Sequence, residues 1–437
     1  MRTQLFRRFL ILFLLGFVSI VILEAQETVT LIKAGKLFDG KSSTLRENVS
    51  IIIKGTKIAA VHPGFESPAG ATVIDLSGMT VMPGLIDAHT HIVPHPGDYD
   101  QQVLRETPEY RAIYATTAAR ATLEAGITTI RDMGSEGPGF VDIALRDAIA
   151  RGVVPGPRIL APIRPITPTG SYQLGGYSPY ATLPSLSYEA DGATEIRKQV
   201  RQLVKLGADL IKIYIEAAEK KQTSQDSLTG ILTYSPGELK VLVDEAHRSG
   251  LNVAAHVYSD TAARLAIDAG VNSIEHGLYL SKATFNLMAQ KGIYYVPTLL
   301  VYELWLDGKV FGQVSPETKM KLLRTVRSHT ETFRRALRTQ VKIVFGTDTF
   351  SIPGSNAQEL ELMVRDGMKP IDALLSATSV AASLLGIADV TGSIEAGKEA
   401  DIIGFSGNPA TDISVVRRAA FVMKGGKVYL HHQSTAH

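Results

Sequence analysis

The chain of 437 residues contains no cysteine. That excludes a disulfide framework, a thiol nucleophile, an iron–sulfur cluster and a thiolate zinc site, leaving histidine, carboxylate and other nitrogen or oxygen donors for any metal. A surplus of one charge is also missing: 45 Lys and Arg stand against 43 Asp and Glu, for a formal net charge of +2. So weak a field gives no means of holding a polyanion, and nucleic acid drops out as a partner. Apolar runs long enough to cross a bilayer are absent too. The longest, Phe9 to Leu23, follows Arg2, Arg7 and Arg8 and falls short of the roughly 20 residues a spanning helix needs. A charged opening before a short apolar stretch is the layout of a secretory signal. Residues 1–26 are therefore expected to be a signal peptide, cleaved after Ala25, and the remainder to be periplasmic or secreted. Leu23 stands where a small residue is preferred, so the alternative is an uncleaved anchor holding the protein at the membrane, facing the periplasm.

What is present is the composition of a folded protein, with 45% hydrophobic and 20% charged residues. Short β-rich runs fill Thr28 to Val81, at Val29 to Ala34, Val49 to Lys54, Lys57 to Val61 and Ala71 to Leu76, divided by Gly, Asn and Pro. Similar runs return at Ala400 to Phe405, Val415 to Met423 and Lys427 to Leu430, with Gly425-Gly426 as a tight hairpin turn. Neither piece makes a core alone, so the two ends are expected to pair into one β-sandwich. Between them, apolar runs near Leu85, Ile127, Ile159, Leu210, Leu251, Ser273, Ile293 and Ile343 alternate with helix-like segments, several ending at glycines such as Gly207, Gly250 and Gly270. Eight such units predict an α/β fold, a (β/α)8 TIM barrel over residues 83–394, flanked by sandwich parts at 27–82 and 395–437. The Gly-, Pro- and Tyr-rich loop from Pro165 to Tyr188 is long for such a fold and reads as a cover for an active site.

The chemistry gathers at predicted strand ends. The two-residue period puts Asp87, His89 and His91 on one face. A His-x-His pair taken alone is as readily a hydrogen-bonded pair as a metal site. In the fourth run, Leu210, Lys212 and Tyr214 face the interior while Ile211, Ile213 and Ile215 face the helices. An inward ammonium is costly, and its lowered pKa gives an amine able to add carbon dioxide. The competing reading is a structural lysine paired with an inward carboxylate such as Asp348. The fifth and sixth runs end in His256 and His276, the latter on a face shared with Ile274, and the eighth ends in Gly-Thr-Asp at Asp348. Four His, one Lys and one Asp thus fall at the C-terminal ends of five strands, where such barrels carry their active sites.

The motifs Pro-Gly-Leu-Ile-Asp-Ala-His-Thr-His, Gly-Ala-Asp-Leu-Ile-Lys-Ile, Val-Ala-Ala-His, Ser-Ile-Glu-His-Gly and Phe-Gly-Thr-Asp together resemble those of the amidohydrolase superfamily. The chain looks most like its branch of metal-dependent, prolidase-like dipeptidases and N-acyl amino acid hydrolases, similar in architecture to imidazolonepropionase. The resemblance implies two divalent metal ions, with zinc, manganese and cobalt all suited to the ligands. It makes His89 and His91 ligands of a buried metal and His256 and His276 ligands of a second. Lys212, carrying carbon dioxide as a carbamate, bridges the two, and Asp348 is both ligand and proton carrier. Hydroxide held between the metals would attack an amide carbonyl while Asp348 moves the proton to the leaving amine. The expected substrate is a small dipeptide or N-acyl amino acid, contacted by Tyr214, with Tyr172, Tyr177 and Arg164 as further candidates. A cyclic amide, as for imidazolonepropionase, or a lactone is the alternative substrate. The pattern is compatible with a homo-oligomer. His95, His247 and His329 fall outside the ligand pattern and read as surface or supporting residues.

Overall fold

The computed structural model describes residues 29–432, apart from 67, 138, 217–229, 311, 351 and 353. The expected signal segment, residues 1–26, lies outside the described residues. Runs rich in Val and Ile, which suit a pleated, half-buried surface, form strands at Val29–Leu37 (β1), Arg46–Lys54 (β2), Lys57–Pro63 (β3) and Thr72–Pro83 (β4). Strands follow at Leu85–His91 (β5), Ile127–Asp132 (β6), Arg158–Leu160 (β7), Ile166–Thr167 (β8) and Tyr188–Glu189 (β9). Next come Leu210–Tyr214 (β10), Asn252–Val257 (β11), Ser273–His276 (β12), Tyr294–Val296 (β13) and Thr349–Phe350 (β14). The last three are Ile402–Phe405 (β15), Phe421–Lys424 (β16) and Lys427–His431 (β17).

The two chain ends meet in one sheet of seven strands, ordered β17-β16-β15-β4-β1-β2-β3. Hydrogen bonding runs unbroken through it because β4 is long enough to serve both halves. It lies parallel to β1 from Thr72 to Val81 and antiparallel to β15 from Thr80 to Pro83. Where β1 bulges, Gly35 packs so closely that a Cβ there would lie 2.0 Å from the Ser77 carbonyl oxygen. Ile32 and Ile51 from one half and Ile402, Phe421 and Met423 from the other share a single core. The Gly425-Gly426 hairpin forms as expected, with both residues at positive φ. The run Val415 to Met423 does not become one strand. Asp412 accepts the Ser414 N–H and starts a 3-10 turn over Ile413–Arg417, so the strand begins only at Phe421.

Between the ends, parallel strands form two arcs, β14-β5-β6-β7 and β13-β12-β11-β10-β8-β9. Amphipathic helices follow the strands, among them Gly192–Lys205, Pro236–Arg248 and Asp260–Ala269, and left-handed Gly207, Gly250 and Gly270 stand at or just past their ends. Ile211, Ile213 and Ile215 pack with those helices, whereas Leu210 meets Met133 and Ala254 in a small inner cluster. Backbone bonds join the arcs on both flanks. Asp209 N–H reaches the Ala161 carbonyl (2.8 Å) on one side; on the other, Tyr295 and Lys342 (2.9 Å), then Ala88 and Phe345 (3.0 Å), are bonded. The expected eighth strand is reduced to these bonds and one bridge between Tyr295 and Ile343. Its chain leaves the extended conformation at Asp348, with φ +56°.

The end sheet is tied to the parallel strands through Asp401. This buried carboxylate accepts Arg158 Nη1 (2.8 Å), Thr391 Oγ1 (2.9 Å) and the Gly425 N–H (2.8 Å). Removing one member of such a pair strands its partner without compensation. Asp401→Ala is therefore expected to lower stability by roughly 3 kcal/mol, read by chemical denaturation, and a loss below about a third of that would deny Asp401 this role.

Candidate active site

One cavity of about 490 Å³ opens where the parallel strands end. His89 and His91 reach it from β5, Tyr214 from β10, His256 from β11, His276 from the end of β12, and Asp348 from the turn before β14. The structure thus brings the four predicted histidines, Asp348 and Tyr214 to one place. Their approach is close: the His89 and His276 rings have centroids 4.9 Å apart, and those of His256 and His276 lie 4.5 Å apart. Asp348 Oδ1 stands 3.4 Å from His89 Nε2 and 3.3 Å from His91 Nε2. His89, His91 and Asp348 have ligand atoms near enough to share one metal ion.

Three of the four imidazoles are aimed from behind. His89 donates Nδ1–H to Glu275 Oε2 (2.8 Å), and His91 donates Nδ1–H to the Gly134 carbonyl (3.1 Å). His276 pairs Nδ1 with Thr298 Oγ1 (2.8 Å). These partners leave the three Nε2 atoms for the cavity, the arrangement by which outer residues fix metal-binding histidines. Glu275 is in turn bonded to Arg131 Nη2 (2.9 Å) and held by Ser273. Burial would raise the Glu275 carboxyl, but Arg131 and His89 outweigh it and hold it at about 2. Burial likewise opposes the charged form of Asp348, yet the surrounding imidazoles keep it well below the usual carboxylate range.

Strand alternation should have placed Glu275 and His276 on opposite faces, with Ile274 beside His276. Ile274 instead belongs to the outer core. The left-handed backbone of His276, φ +67°, breaks the alternation and lets both neighbours point inward. Glu136, Thr298 and Asp348 also have positive φ, at +50°, +52° and +56°. Such strain in non-glycine residues collects where a site over-determines its geometry.

Lys212 lies beneath the imidazoles, fully buried. Its Nζ has no hydrogen-bond partner, and no ion pair to it is formed among the described residues, which removes the reading of a lysine salt-bridged to Asp348. Burial draws its ammonium down to about 8 against the partial pull of Glu275 and Asp348.

Tyr214 stacks on Tyr172, with centroids 4.2 Å apart, and leans on His256. Two other candidates stand elsewhere. Tyr177 is bonded to Asp100 at the surface, and Arg164 lies over the Tyr188 ring, 4.1 Å from its centre, neither lining the cavity. His329 is buried behind the site, donating to the His276 carbonyl (3.0 Å), while His95 binds Glu106 and His247 binds Asn272. Asp87, in register with the histidines, accepts from Thr347, Asn356 and the His89 N–H. It braces β5 against the 347–356 segment and takes no place in the cavity. Sequence reasoning missed Glu136, Tyr99, Trp305 and Phe350, which line the cavity from a loop, two helices and the two-residue strand β14 without any periodic signal. It also gave Glu275 no role, although Glu275 sits next to a predicted ligand.

A polar cavity at the C-terminal ends of parallel strands, floored by histidines, a carboxylate and a buried lysine, is the site of a hydrolase that works with metal ions. The amidohydrolase family model matches residues 80–429, and the chain belongs to that family, which makes it a hydrolase of carbon–nitrogen bonds. It is 32% identical to ochratoxinase of Aspergillus niger, covering 94% of this chain and 88% of that protein. It is 26% identical to imidazolonepropionase of Fusobacterium nucleatum subsp. nucleatum, covering 83% and 86%. The crystal structure of a Xaa-Pro dipeptidase with bound methionine in its active site superposes with a TM-score of 0.83 at 36% identity, covering 92% of this chain and all of that one.

The family works with divalent metals, and the residues here fit them. The donors are all imidazole or carboxylate, and the unpartnered Nζ of Lys212 is the kind of orphan atom that an added group would satisfy. Glu275→Gln keeps the shape but removes the charge behind His89. Metal affinity is expected to fall about ten- to a hundred-fold with little change in folding, as measured by metal titration with circular dichroism; unchanged affinity would leave Glu275 a merely structural role.

Proposed function

We propose that this protein hydrolyses the amide bond of a dipeptide or an N-acyl amino acid. The observation that carries the reading is the convergence of His89, His91, His256, His276 and Asp348 on one cavity above the unpaired Lys212. In this reading His89, His91 and Asp348 would hold one metal, His256 and His276 would hold a second, and Lys212, once carboxylated, would supply a further anionic ligand. The two arcs of parallel strands, hydrogen-bonded on both flanks, are read as the halves of a closed (β/α)8 barrel. The bound metals supply Lewis acidity and a water acidic enough to attack at neutral pH.

The chain's own residues do the remainder. Partners at Nδ1 keep Nε2 of His89, His91 and His276 directed at the reacting centre. Asp348 reaches the cavity with its side chain 14% exposed and takes a proton on its carboxylate. It passes that proton to the leaving nitrogen, which would otherwise depart as a prohibitively basic anion. Tyr214, locked between Tyr172 and His256, presents its ring to the substrate beside the second pair of histidines.

Ochratoxinase supports an amide substrate, and the Xaa-Pro dipeptidase, with methionine bound in its active site, supports one whose product is an amino acid. Imidazolonepropionase supports a cyclic amide as the second reading. The N-terminal run of apolar residues supports export to the periplasm or beyond.

A panel of dipeptides, N-acyl amino acids, cyclic amides and lactones, assayed with wild type and Asp348→Asn, tests the function. Dipeptide or N-acyl cleavage is expected in wild type, with a fall of about a hundred- to ten-thousand-fold in kcat for the variant. A preference for the cyclic compounds would replace the first reading by the second.

Lys212→Ala is expected to lose metal and activity together, with bound metal falling from near two to one or fewer per chain by elemental analysis. Short carboxylic acids are expected to restore part of both by filling the vacated bridge. Full metal content in the variant would reject the carbamate.

A further inference from the structure

The wall of the cavity is acidic and aromatic in a way the metal chemistry does not use. Beyond Asp348, three carboxylates line it: Asp98, Asp100 and Glu136, and no Lys or Arg lines it among the described residues. Asp98 is exposed and Asp100 half-exposed at the rim, whereas Glu136 is buried deeper in the same wall. Glu136 is bound on one side only. Its Oε2 accepts the hydroxyls of Tyr99 (2.5 Å) and Tyr172 (2.6 Å), while its Oε1 has no hydrogen-bond partner. That oxygen stands 3.5 Å from His91 Nδ1, whose N–H is given to the Gly134 carbonyl, and the buried Arg111, bonded to the Ser135 carbonyl, also acts on this carboxylate.

Three carboxylates in one wall, with no Lys or Arg lining the cavity among the described residues, favour a positive ligand against that wall, beside the metals that would sit on the histidine floor. Tyr99, Tyr172 and Trp305 add aromatic faces in the same wall, surfaces on which organic cations are held. An acid-reading wall would need a guanidinium or ammonium, and the candidate for that task, Arg164, is engaged by Tyr188 and Ser185 outside the cavity.

We propose that Asp98, Asp100 and Glu136 make this enzyme selective for amide substrates that carry an organic cation, an ammonium or guanidinium, near the scissile bond. The inference rests on the amide-hydrolase reading and narrows its substrate class. The cation has two sources: the free amino terminus of a dipeptide, or a basic side chain. Glu136 accepts hydrogen bonds deep in the wall and the two aspartates complete the field at its mouth, so the uncharged part of the substrate remains over the histidines.

Matched substrate pairs test this on the metal-loaded full chain. One pair is a dipeptide with neutral side chains and its N-acetyl derivative; the other is N-acetyl-lysine and N-acetyl-norleucine. At least one pair is expected to show a tenfold or greater preference in kcat/KM for the charged member, and which pair does so identifies the source. In Asp98→Asn/Asp100→Asn that preference is expected to fall at least tenfold; asparagine retains the cap that Asp98 gives the helix Tyr99–Arg105. Glu136→Gln is expected to act in the same direction. Preferences below twofold in both pairs, or a preference untouched in the double variant, would overturn the proposal while leaving amide hydrolysis standing. Failure of all four compounds, with turnover of a cyclic amide or lactone instead, would count against both readings.

Discussion

The site depends on hydrogen bonds made at the back of its imidazoles. A histidine offers a cavity one of two nitrogens, and the choice is made by whatever binds the other. Here Glu275, the Gly134 carbonyl and Thr298 each take an Nδ1, so three rings from two strands present Nε2 to a common space. The chain leading from Glu275 to Arg131 and Ser273 makes that choice for His89 part of the strand framework. Loss of this support would leave donors of the right chemistry without a common aim.

Much of the site is legible in the sequence because strands impose a period. His89 and His91 are two apart, Lys212 and Tyr214 are two apart, and in each case the interior face is the same for both. The parallel strands follow from the same regularity, whereas the family is legible through its motifs. The period fails where the backbone leaves the extended region. At His276 it assigned Ile274 to the interior and overlooked Glu275, since a left-handed residue at a strand end is invisible to alternation. Near Asp348 the expected strand is thinned to a bridge for a related reason.

The cavity wall was less legible than its floor. Glu136 lies on a loop after β6, Tyr99 at the start of a helix and Tyr172 in a long loop, and no periodicity links their numbers. They meet through tertiary contacts, two phenols converging on one carboxylate. The expectation of a guanidinium at the rim failed on the same ground: Arg164 is close to the site in sequence logic, yet its stacking on Tyr188 turns it aside. A scaffold can thus keep its reactive floor constant while its loops set what the floor acts upon.

Trp305 lines this wall, and it is the one tryptophan in all 437 residues. Indole emission from the protein consequently originates at the mouth of the cavity and nowhere else. Displacement of water from that wall, or the arrival of a charge beside it, changes the surroundings of the entire emitting population. The molecule therefore carries its own optical gauge of cavity occupancy, free of background from the fold and requiring neither a label nor turnover.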